Sequence, residues 1–220
     1  MLADSLRFQK PTNAKPETVM DKAITTMNKK TTMNFDQDFA TVNLILNSNF
    51  ETRGVDAFAL SLIKAEKQMR RIFTYLIFQN PSFNTSHYSE LRKTLAANRQ
   101  IYFEGFIKGF NLISLKALSD IYGENYNNDI TDLIDFAKDR NKIFHGQITV
   151  NGLTRDDLIN RVNHIKQWCK NLADKIELEI GYDGFGDSFR KSTSKLELKN
   201  LDKFNTIGKY AKFLKTELQR

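Results

Sequence analysis

The sequence predicts an all-α protein: an up-and-down helical bundle with flexible or appended N- and C-terminal segments. Three observations predict it. Apolar residues recur at three- and four-residue steps over long stretches, the spacing of a helix that buries one face. Only three prolines interrupt the 220 residues, and proline is the residue least tolerated inside a helix. Hydrophobic residues make up 40% of the chain, including 17 Phe, which suits a packed core and excludes a disordered chain.

The elements follow in order. Residues 1–33 are polar, with Pro11 and Pro16, and read as a flexible basic arm with at most a short helix near 17–29. Residues 35–47 carry Phe35, Phe39, Val42, Leu44, Ile45 and Leu46, a pattern that fits a short helix or a strand. The first strong helix is 55–79, with Val55, Phe58, Leu62, Met69, Ile72, Phe73 and Leu76 on its apolar stripe, ended by Asn80-Pro81. A shorter helix follows Ser86 to about residue 96. One or two helices span 99–121, where Gly105 and Gly109 allow close approach of a neighbour or mark a bend. Gly123 to Asn128 reads as a loop, with Asn128 or Asp129 capping a helix at 129–145 that Gly146 stops. Asn151-Gly152 is a turn pair. Thr154 starts a long helix to about 179, with Asp157 completing a box-like cap. Gly181, Gly184 and Gly186 make a loop, and 201–218 could form a basic amphipathic helix. The expected organisation is an arm at 1–33, a helical domain at 34–180 and a basic extension at 181–220.

Charge is divided along the same lines. The net charge is +7. Residues 1–33 and 181–220 carry +3 and +4 of it, and residues 34–180 are neutral. A neutral body with cationic ends is not a uniformly basic nucleic-acid binder; the ends read as capture arms for a polyanion or docking segments for an acidic inhibitor. No apolar run is long enough to span a membrane, and the N-terminus lacks the pattern of a secretory signal. A single cysteine, Cys169, excludes an internal disulfide framework and fits a reducing, cytoplasmic setting. No His and Cys pair has zinc-ligand spacing and no acidic cluster demands magnesium, so no metal or cofactor is expected.

Three histidines are available for chemistry. His87 stands at a helix start and reads as a surface or capping residue. His164 lies mid-helix beside apolar positions and reads as structural. His145 closes the string Asp139-Arg140-Asn141-Lys142-Ile143-Phe144-His145-Gly146. Asn141 and His145 are four apart and share a helix face, with Arg140 in the adjacent row. Arginine, an amide and histidine are thus grouped at a helix end. Other uses are open to them: Arg140 could pair with Asp135, Asp139 or a neighbouring helix, and His145 could cap the last carbonyls.

The run Arg140-Asn141-Lys142-Ile143-Phe144-His145 resembles the signature of the HEPN superfamily of helical ribonucleases: Arg, usually a polar residue, then His after four to six residues. The likeness in helix order covers about 55–180. It implies a metal-independent endoribonuclease, in a toxin–antitoxin or antiviral-defence setting, working as a homodimer whose two motifs line one cleft. RNA cleaves when its 2′-OH attacks the adjacent phosphate. The reaction needs a base, an acid and a cation for the phosphate charge. On this resemblance His145 is base or acid, Arg140 holds the phosphate and Asn141 orients one of them. Glu66 and Arg70, four apart on the first long helix, could support the cleft, though an intrahelical salt bridge accounts for them equally. Silent members of the family bind a protein partner or RNA instead, and that is the alternative. Gln147 stands where toxins paired with nucleotidyltransferase antitoxins often carry Tyr, which speaks against control by that route.

Two further features concern binding. Gly181-Tyr182-Asp183-Gly184-Phe185-Gly186 has the glycine spacing of part of a phosphate loop, but it follows a helix and lacks a Lys-Ser/Thr ending. Beside it, Arg190 and Lys191 with Phe189 could grip single-stranded RNA by charge and stacking.

Overall fold

A computed structural model describes residues 19–147, 152–193 and 196–219, without the side chains of 19–24 and 28. The protein is all-α. Eight α-helices are present among these residues: α1 Val19–Leu46, α2 Arg53–Phe78, α3 Tyr88–Ala97, α4 Phe103–Ile113, α5 Leu118–Tyr122, α6 Tyr126–Phe144, α7 Arg155–Ile180 and α8 Ile207–Phe213. No described helix is long and apolar enough to cross a membrane.

The core is built on α2 and α7. From Ala57 to Phe78, α2 buries residues on several faces, and it packs against α1, α4, α6 and α7. A helix apolar on so much of its circumference belongs at the centre of a bundle. On α7, Leu158, Val162, Ile165, Trp168, Cys169, Leu172 and Ile176 form the complementary stripe. Thr154 Oγ1 accepts from the Asp157 N–H while the Asp157 carboxylate accepts from the Thr154 N–H, the reciprocal cap its spacing predicts.

Several boundaries differ from the sequence expectation. The expected break at residue 33 falls inside one continuous helix, because Thr31, Phe35, Phe39, Val42 and Leu46 continue a single stripe in steps of three and four. Phe39 and Val42 are fully buried. The arm expected at 1–33 lies outside the described residues as far as residue 18. α6 starts at Tyr126 rather than 129, and Gly123 (φ +93°) turns the chain into it through a Tyr126 N–H···O=C Gly123 bond. Asp129 is therefore not a cap. Its carboxylate accepts from Tyr122 Oη at 2.5 Å and faces His164 Nε2 at 3.0 Å, and Asp132 lies 3.6 Å from the other ring nitrogen. His164 is structural, as its position predicts. Burial and the Asp129 contact together push the Tyr122 hydroxyl well above the usual phenol range.

The segment 99–121 is two helices, and the glycines serve close approach. A Cβ on Gly105 would lie 2.7 Å from the Leu218 carbonyl, and one on Gly109 2.7 Å from the Phe73 ring. The described residues of 181–219 are not an appended tail. Tyr182 stacks on Tyr75 with ring centroids 4.8 Å apart, and Phe204, Tyr210, Phe213, Leu214 and Leu218 are buried in the common core. The expected helix at 201–218 is three pieces: a 3₁₀ turn Leu201–Phe204, α8 capped by Thr206, and a π-helical turn Leu214–Leu218 lying against α4. Deleting 181–220 would open the core, so truncation cannot isolate a role for its charge.

Candidate active site

The Arg140–His145 run occupies the last turn and a half of α6. Its end is built locally. Gly146 adopts φ +65°, a conformation that strains any residue with a Cβ. This geometry brings the Gly146 N–H onto the Ile143 carbonyl at 3.0 Å and the Gln147 N–H onto the Lys142 carbonyl at 2.8 Å. The pair is a Schellman closure. The His145 N–H reaches the Asn141 carbonyl at 3.1 Å, so the helical turn persists through His145. The carbonyls of 141 to 143 are thus satisfied by backbone donors, and the imidazole of His145 is not needed as a cap. His145 is exposed, on the same face as Asn141.

The acids near Arg140 are engaged elsewhere. Asp139 pairs with Arg161 of α7 at 2.7 Å, in a part-buried bridge where the Arg161 guanidinium also lies 4.6 Å from the Phe136 ring centroid. Asp135 pairs with Lys138 at 2.8 Å. Arg140 has no carboxylate partner among the described residues. Its guanidinium instead donates twice to Asn141 Oδ1, at 2.9 and 3.2 Å. An amide oxygen orients the fork without neutralising it, which leaves the positive charge available to an anion.

Arg140 and Asn141 line a cavity of about 220 Å³ between α2, α4 and α6. Its floor is apolar, from Leu62, Phe103, Leu133 and Ile134, and its polar groups are Glu66, Glu104, Lys138, Arg140 and Asn141. The cavity thus brings together Glu66, Arg140 and Asn141 from the sequence reading. It does not include Arg70 or His145. Glu66 does pair with Arg70, at 2.7 Å, so the intrahelical bridge and the cleft position coexist. His145 lies one turn beyond Asn141 along the chain, and residues 148–151 fall outside the described residues. Two large side chains near this end of the molecule are exposed: Tyr102, which lines the cavity, and Phe144 beside His145.

The two weaker binding candidates have structural roles. The Lys191 ammonium donates to the carbonyls of Phe78, at 2.5 Å, and Asn80, at 3.0 Å, closing the end of α2. Arg190 lies over the Tyr182 ring and donates to the Gly181 carbonyl at 3.3 Å. The glycine loop is structural too: Asp183 is buried and accepts from Asn34 Nδ2 and from the Phe185 N–H. Among the described residues no group of three or more His, Cys, Asp or Glu side chains could hold a metal ion.

Sequence reasoning missed a second cavity, of about 720 Å³, between α2, α3 and the loop 186–189. Its cations come from segments between about twenty and thirty residues apart, and no spacing rule joins them. No family model, no curated protein and no solved structure matches the chain.

Proposed function

We propose that the protein is a metal-independent endoribonuclease of the HEPN type, with Arg140, Asn141 and His145 as its working residues. The observation that carries this is the arrangement at the end of α6. An unneutralised Arg140, oriented by Asn141, lines a cavity, and an exposed His145 stands one turn further on the Asn141 face. In the reaction His145 takes the proton of a 2′-OH, the 2′-oxygen bonds to phosphorus, and the bond to the 5′-oxygen breaks, leaving a 2′,3′-cyclic phosphate. Arg140 holds the charge that gathers on the phosphate oxygens. The leaving oxygen needs a proton as well, which a second His145 supplies if two copies face each other in a homodimer. A toxin or defence role, with a protein inhibitor, follows from the family resemblance alone.

The exposed Tyr102 and Phe144 favour a second reading, a catalytically silent helical module that docks a protein or RNA at this end. Incubation with mixed RNA in EDTA separates the two. The wild type should cut and leave cyclic phosphate ends, with His145→Ala and Arg140→Ala each slower by about 100-fold or more. Cleavage unchanged in both variants would place the activity elsewhere, and RNA binding without cleavage would favour the silent module.

A further inference from the structure

The Glu66–Arg70 ion pair joins two cavities, since Glu66 lines the first and Arg70 the second. The second is lined by five cations, Lys67, Arg70, Arg71, Arg92 and Arg99, against one carboxylate, Asp187. Asp187 accepts from the Phe189 N–H at 3.0 Å and serves its own loop. Three of the cations are drawn on from outside: Asp38 lies 3.2 Å from Lys67 and 3.8 Å from Arg71, and Glu66 holds Arg70. Arg92 and Arg99 are exposed and have no carboxylate partner among the described residues. Arg92 donates to Tyr88 Oη at 3.1 Å, with its guanidinium 5.5 Å from that ring's centroid.

We propose that this cleft binds single-stranded RNA through its backbone phosphates, which for the choice of RNA among polyanions rests on the ribonuclease reading. The cations are spread rather than convergent. Lys67 and Arg71 sit on successive turns of α2, and the lining of that helix continues to Thr74, about 10 Å of helix axis in all. Arg92, on α3, and Arg99, just after it, line the same cleft. Charges distributed over such a length meet successive phosphates of a chain, whereas a single phosphate is held by groups converging on one point. The half-buried rings of Tyr88 and Phe189, 4.5 Å apart, supply apolar surface on which a base can rest. An RNA strand held here runs along α2 toward the Glu66 side, where Arg140 lines the neighbouring cavity.

The test is fluorescence anisotropy with a short fluorescein-labelled oligouridylate in EDTA, in the full-length chain carrying His145→Ala to prevent cutting. Adding Arg92→Glu and Arg99→Glu together should weaken binding by about tenfold or more. It should also lower the slope of log affinity against log salt by about 1.4, for two lost single-strand phosphate contacts. Both side chains are exposed, so the unfolding midpoint should stay put and serve as the folding control. Unchanged affinity and slope would overturn the proposal, and so would displacement of the probe by uridine monophosphate at equal affinity, which would mark a small-nucleotide site. If the wild type cuts RNA while the double variant binds as tightly as its parent, this cleft fails and the ribonuclease stands. If the double variant loses RNA binding and the wild type never cuts, the cleft stands and the ribonuclease fails.

Discussion

Replacing Gly109 with alanine should destabilise the protein, while replacing Gly208 should stabilise it, although both glycines lie inside helices. Alanine is favoured over glycine by about 1 kcal/mol within a helix. At position 208 a Cβ would meet nothing within 4 Å and φ is not positive, so the gain survives as about 0.4–1 kcal/mol. At position 109 the Cβ would lie 2.7 and 2.9 Å from two atoms of the Phe73 ring and 3.1 Å from a Leu218 methyl. Phe73 is fully buried and its ring cannot swing away. Overpacking of this kind costs about 1–3 kcal/mol, which outweighs the helical gain and leaves a net loss of up to about 2 kcal/mol. For a chain of this size about 1 kcal/mol moves Tm by about 2–4 °C. Thermal and urea unfolding followed by far-UV circular dichroism should place the two variants on opposite sides of the wild type. A Gly109→Ala protein as stable as Gly208→Ala would mean that neither α2 nor the C-terminal turn presses on α4. The packing of residues 201–218 described above would then be wrong.

Two further outcomes are open to measurement. Lys191→Gln removes donors from the Phe78 and Asn80 carbonyls and should cost about 1 kcal/mol of stability, with RNA affinity unchanged; lost affinity at constant Tm would return Lys191 to the binding surface. Burial, reinforced by the Asp38 carboxylate, holds the Cys169 thiol well above its ordinary range, and the side chain has no exposed surface. A thiol reagent at neutral pH should therefore leave native protein unlabelled and react after denaturant is added, and rapid labelling of the native state would contradict the placement of α7.

What the sequence determined by itself was whatever depends on neighbours within one or two helical turns. The Thr154–Asp157 cap, the Asn80-Pro81 stop and the Gly146 closure involve groups no more than five residues apart, so their chemistry is written in order along the chain. The Arg140-Asn141 contact does not belong here: neighbours on a helix point about 100° apart, and the long arginine side chain folds back onto the amide only in the folded structure. The α1 stripe was local, yet it stayed ambiguous: its polar flanks at Thr31 and Asn34 hide the continuity until α2 and the 181–186 loop supply something to pack against. Tertiary structure decided the rest. The basic composition of 181–220 suggested a solvated tail, but most of its described lysines and arginines are exposed while Phe204, Tyr210, Phe213 and Leu218 are buried against α3 and α4. Asp129 had the position of a cap and became a partner of His164, thirty-five residues away. Glu66 came to line one cavity with Arg140, and Arg70 another with Arg92 and Arg99, because helix packing sets which faces share a cleft. Packing answers to the volume and shape of the whole core, and no window of a few residues contains that information.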